Sequence, residues 1–129
     1  MKILIATTLA CAALLAGCAL PPCAPAPGLI DLAERPAEKA LLAGMRAYDD
    51  ARYAQAEKLL IQALQVGLVS PRDRAAAHKH LAFIYCTSGR MPACEAEFRA
   101  ARLDDAAFTL SRSEAGHPQW GPVWRKVGP

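Results

Sequence analysis

The chain is expected to fold as an all-α domain: two antiparallel helix pairs closed by an irregular, tryptophan-containing C-terminal cap. Three observations predict this. From Pro36 to Ala107 the sequence is alanine-rich, with leucines at three- and four-residue spacing and few β-branched residues. Turn signals cut this stretch into four segments of helical length. No segment alternates apolar and polar residues with the period of two that a half-buried strand requires.

The first helix is placed near residues 36–49 and the second near 52–67. The segment from Gly67 to Pro71 breaks the pattern; Ser70 can cap the next helix, with Pro71 at its first position, where a missing N–H costs nothing. The third helix is placed near 71–88 and ends at Ser88-Gly89-Arg90. The fourth is placed near 91–103, with Pro92 acceptable in its first turn. Residues 108–129 change character, holding both tryptophans, three prolines and three glycines. One or two short helical turns packed back on the helices are expected there. Trp120 and Trp124 are too large to be left in water without reason, and core packing is the expectation over ligand stacking.

The N-terminus carries an address. Lys2 precedes an apolar stretch from Ile3 to Ala16 that is too short for a comfortable membrane span. It ends in Leu15-Ala16-Gly17-Cys18, which resembles the signal of bacterial lipoproteins. The resemblance implies cleavage before Cys18 and acylation of that cysteine with palmitate-type chains; an ordinary secretory signal cut near Ala19 is the alternative. Ala19, rather than aspartate, after the cysteine is similar to outer-membrane sorting in Gram-negative lipoproteins. Residues 1–17 are therefore read as signal peptide, 18–35 as lipidated cysteine and proline-rich tether, and 36–129 as the folded domain. Each acyl methylene buried in lipid adds about 0.8 kcal/mol of anchoring. Residues 19–28 contain four prolines and no charge, so the tether should be extended, with a reach on the order of 30 Å.

Once Lys2 leaves with the signal the remainder is nearly neutral, and no basic run interleaved with aromatics suggests a nucleic-acid partner. The positive mean hydropathy of +0.12 owes part of its value to the leader. Beyond Cys11 and Cys18 there remain Cys23, Cys86 and Cys94. An odd number of thiols in an oxidising compartment implies one pair and one leftover. Cys86 and Cys94 flank a tight turn between antiparallel helices, within bridging reach. A disulfide is the expectation and two buried free thiols the alternative. Cys23, in the tether, is read as inert.

The two helix pairs resemble tetratricopeptide repeats. In the second pair Leu81, Tyr85, Gly89, Phe98 and Ala101 match that pattern in type, whereas His78, Cys94 and Ala106 depart from it. In the first pair Gly44, Tyr53, Ala56, Leu60 and Ala63 fall at corresponding offsets. Ala56 and Cys94 are equivalent and 38 positions apart, against a usual period of roughly 34. Small residues at Gly44, Ala56 and Ala82 would let helices approach closely, and Leu60, Tyr85 and Phe98 would fill the space between pairs. About three repeats are usually needed for stability, so the tail is expected to cap the open end.

Two longer strings are more specific. Ala77-His78-Lys79-His80-Leu81-Ala82-Phe83-Ile84-Tyr85-Cys86 and Gly116-His117-Pro118-Gln119-Trp120-Gly121-Pro122 are similar to those of the TssQ-type lipoproteins associated with type VI secretion. The resemblance implies a periplasm-facing accessory protein that binds envelope or secretion-system proteins and is not an enzyme. A general envelope-assembly adaptor is one alternative; a thiol redox protein using Cys23 with Cys86 or Cys94 is another.

No hydrolase elbow, phosphate loop or zinc-protease motif is present, and no cofactor or small-molecule substrate is suggested. The repeat pattern puts His78 in the core and His80 outward; two residues apart on a helix, they cannot chelate one metal ion together, and with His117 they match no zinc spacing. The inner face of the third helix, with Lys79 and Phe83, is the candidate protein-binding surface. The same residues packing against the first pair or the tail is the competing reading.

Overall fold

A computed structural model describes residues 34–128 together with Gly28, Ile30 and Asp31. Six helices and no strand are found among these residues. They are α1 (Pro36–Asp49), α2 (Tyr53–Val66), α3 (Pro71–Thr87), α4 (Met91–Asp104), α5 (Arg112–Ala115) and α6 (Gly121–Val127). The four long helices begin and end within one residue of the positions that the turn signals mark. Pro71 starts α3 behind Ser70, whose hydroxyl accepts a hydrogen bond from the Asp73 N–H at 3.3 Å. No described helix is long and apolar enough to cross a membrane.

Helices α1 and α2 pack as one antiparallel hairpin, α3 and α4 as a second, and α2 lies against α3. Both hairpins bury matching positions 38 residues apart. Ala56 and Cys94, Leu60 and Phe98, and Ala63 and Ala101 all lose their solvent contact. Ala82 and Gly44, at the other side of each crossing, are buried as well.

The match extends to the backbone of the turns. Asp50 and Ser88 have φ, ψ of −79°, 8° and −93°, 10°, and Arg52 and Arg90 have −87°, 61° and −86°, 62°. Between them Ala51 and Gly89 both take left-handed conformations, with φ of 58° and 77°. The N–H groups of Arg52 and Arg90 each donate to a carbonyl five residues back, Ala47 and Tyr85, at 2.8 Å. One turn shape thus closes both hairpins, with glycine in the second and alanine in the first.

A left-handed alanine is disfavoured by about 1–2 kcal/mol. Glycine there recovers that but adds unfolded-chain entropy worth about 0.4–1 kcal/mol. Ala51→Gly is therefore expected to stabilise the domain, and Gly89→Ala to destabilise it, each by about 0.5–1 kcal/mol. Urea midpoints for the two variants should move in opposite directions.

The hairpins are tied by polar contacts at their ends. Arg90 in the second turn makes a fork to both carboxylate oxygens of Glu57 on α2, each at 2.8 Å, and lies over the Tyr85 ring at 4.3 Å. The guanidinium holds the Glu57 carboxyl below its usual range. Arg74 donates to Asp104 on α4 at 2.6 Å and to the carbonyls of Leu68 and Val69, clamping the loop between hairpins. These pairs are partly solvated and fix geometry more than they add stability.

Candidate functional site

Lys79 and Phe83 do lie side by side on α3, with the ammonium 5.8 Å from the ring centroid. They are not open to a partner. Phe83 is 3% exposed because Trp120, from the tail, stacks on it with ring centroids 4.2 Å apart and planes 20° from parallel. Phe98 meets Phe83 edge-on from α4, and Tyr48 and His80 flank it. The Lys79 ammonium is 2.8 Å from a carboxylate oxygen of Glu114. The proposed binding surface is therefore corrected: it is the dock for the chain's own C-terminal segment.

The tail is shaped for this position. A capping box nucleates α5: the Ser111 hydroxyl accepts from the Glu114 N–H, and the Glu114 side chain accepts from the Ser111 N–H. That presents the second Glu114 oxygen to Lys79. The indole N–H of Trp120 donates to the Glu114 carbonyl at 2.8 Å, and His117 stacks on the outer face of the indole. Gly121 follows because a Cβ there would sit 2.6 Å from the Ala115 carbonyl oxygen, too close for any other residue without a backbone shift. Trp124 then packs against Phe98 and Phe108 and is covered by the Arg102 guanidinium. The tail thus spans two surfaces, with Trp120 on the inner face of α3 and Trp124 on the end of α4. The two strings singled out in the sequence meet in space, Phe83 from one stacking on Trp120 from the other.

The two histidines on α3 exchange their expected places. His80 is buried, at 8% exposure, with ring contacts to Tyr48 and Phe83, and its Nδ1–H donates to the Ala76 carbonyl at 2.7 Å. His78 is only partly buried, with 18% of its side chain exposed, and its two ring nitrogens face Glu97 and Asp104 on α4. Because the carboxylates lie on opposite edges of the ring, these three residues form a bridge between helices rather than a common ligand set.

Burial holds His80 below the ordinary histidine value, since the apolar surroundings penalise the charged ring. Burial also acts on Glu114 and would raise it, but Lys79 and the Ser111 N–H and hydroxyl outweigh that and leave the carboxyl below its usual range. Both depressions give the same sign. Each group favours its deprotonated form in the fold more than in the unfolded chain, so stability is complete above the unfolded value and falls as pH falls. Acidification should loosen the domain first below the histidine reference of 6.5, then below the carboxylate reference of 4.5. Glu114→Gln should shrink the second step without abolishing it, because Glu57, held low by Arg90, contributes to the same step. Near-ultraviolet circular dichroism of the tryptophans against pH checks both.

Cys86 and Cys94 are bonded, with a Cα–Cα distance of 5.2 Å, and are 2% and 0% exposed. The bridge joins the last turn of α3 to the first turn of α4. Cys18, Cys23 and the leader lie outside the described residues, as does most of the tether. Sequence reasoning found α3 and the tail separately but not Glu114, the residue that joins them. Its one sequence signal was the Ser111–Glu114 capping-box spacing. Compared with known proteins, the chain matches no family model, no curated protein and no solved structure.

Proposed function

We propose that the chain is a lipid-anchored, periplasm-facing lipoprotein of the outer membrane that serves the type VI secretion apparatus as a non-catalytic, protein-binding accessory. The structural observation that supports it most is the buried Cys86–Cys94 disulfide. Such a bridge persists where the compartment is oxidising, in keeping with a leader that ends at Cys18. The likeness to TssQ-type lipoproteins supports the choice of apparatus, and its two strings build one junction, the docking of the tail on α3. In this reading the two hairpins are tetratricopeptide-like repeats of 38-residue period, and the tail substitutes for the missing third repeat. Both disulfide sulfurs are buried away from an attacking thiolate, which favours a structural bridge over thiol exchange.

Deleting the gene tests the proposal. Contact-dependent secretion should fall while the outer membrane stays impermeable to large antibiotics. Normal secretion with a leaky envelope would replace the reading with that of a general assembly factor.

A further inference from the structure

The tail that closes one face opens another. Where α6 lies along α4, three surface depressions join end to end. One of about 430 Å³ begins at Met91 and Pro92 and reaches Arg99. The next, about 400 Å³, shares Arg99 and runs past Leu103 to Arg102 and Gly128. The third, about 500 Å³, shares Arg102 and Gly128 and ends at Phe108 and Trp124. Together they form a groove along the full 14 residues of α4, about 21 Å at 1.5 Å per residue.

Its chemistry is one-sided. Arg99, Arg102, Arg125 and Lys126 line it, and among the described lining residues Glu95 is the one carboxylate. Glu95 is shared by Arg99 and Lys126. Arg102 rests on Trp124, and neither it nor Arg125 has a carboxylate partner among the described residues. Met91, Arg99 and Leu103 recur on one face of α4, and two of them are large apolar side chains left in water, Met91 43% and Leu103 88% exposed. A nearly neutral domain thus sets four cations, one carboxylate and two exposed apolar side chains along one channel.

We infer that this groove binds an acidic segment of another protein, about six residues in extended form, through carboxylates set on Arg102 and Arg125 and an apolar side chain set on Leu103. At 3.3 Å per residue six residues span the groove. Residues 1–27 of this chain contain no aspartate or glutamate, so charge complementarity points to a different chain. A channel with walls from two helices suits a segment lying within it better than a flat membrane. The inference concerns the folded domain and stands apart from the choice of secretion machine.

Fluorescence anisotropy of the purified full chain tests it, with a fluorescein-labelled glutamate-rich hexapeptide carrying two leucines as probe and the lysine-for-glutamate peptide as control. The acidic peptide should bind, with affinity falling as salt rises, and the basic one should not. Leu103→Asp and Arg125→Glu each change an exposed side chain, so they should leave the circular dichroism intact while weakening binding about tenfold. Equal binding of both peptides, or unchanged binding in both variants, would overturn the inference. So would capture by phosphatidylglycerol vesicles that the acidic peptide does not displace, which would assign the face to lipid. A dimer dissolved by Leu103→Asp, with no peptide binding, would assign it to a second copy of the chain.

Discussion

Trp120→Ala is expected to destabilise the domain by about 3–5 kcal/mol, the range for removing a buried tryptophan. The indole is 8% exposed, lies between Phe83 and His117, and uses its N–H on the Glu114 carbonyl. Its loss leaves Phe83 without cover, and Lys79 loses the geometry that holds Glu114. A small domain has about 5–15 kcal/mol in total, so the variant should be marginal, with the segment after Phe108 becoming sensitive to protease. Trp120→Phe keeps most of the stacking and gives up the hydrogen bond, so a loss of about 1 kcal/mol is expected. Urea denaturation read by far-ultraviolet circular dichroism separates the two. A loss below 1 kcal/mol in the alanine variant would mean that the tail contributes little to holding the helices.

The disulfide is the second large contribution. Closing a loop as short as that from Cys86 to Cys94, eight positions apart, restricts the unfolded chain by about 2–3 kcal/mol. The double variant Cys86→Ala with Cys94→Ala should lose about that amount and keep its helices, because Leu60, Leu81 and Phe98 still form the centre of the core. A single replacement should fare similarly in stability while leaving a buried thiol, reactive only after denaturation. Thiol titration of the native oxidised protein should find neither cysteine. Ready labelling of either one without denaturant would contradict the burial of the bridge.

The places where sequence and structure agree and disagree have physical causes. Helix ends were legible because Pro71, Pro92 and Gly89 act locally, through a fixed φ, a missing N–H and a left-handed turn. The Cys86–Cys94 pairing followed from the same hairpin geometry. His78 and His80 were misplaced because α3 lacks a continuous polar stripe to set its phase. Every residue from His80 to Cys86 is buried, and a helix covered all round carries no 3.6-residue signal there. The repeat pattern put His78 where a tryptophan usually packs, but Glu97 and Asp104 on α4 draw it to the edge. Phe83 looked like a partner's anchor because its cover, Trp120, is 37 positions away in sequence, and such a long-range contact leaves no local trace. The groove beside α4 was hidden for the same reason. It exists only when α6 folds back, although Met91, Arg99 and Leu103 already marked one face of α4.

Anchoring is the centre of the proposed function, since a non-catalytic accessory would act through where it is held. The most direct measurement is contact-dependent secretion in a deletion strain supplied with either the native chain or Cys18→Ser. The native chain should restore secretion. The Cys18→Ser protein, with its disulfide and helices intact but no lipid, should not. Full secretion from the unanchored protein would contradict the account.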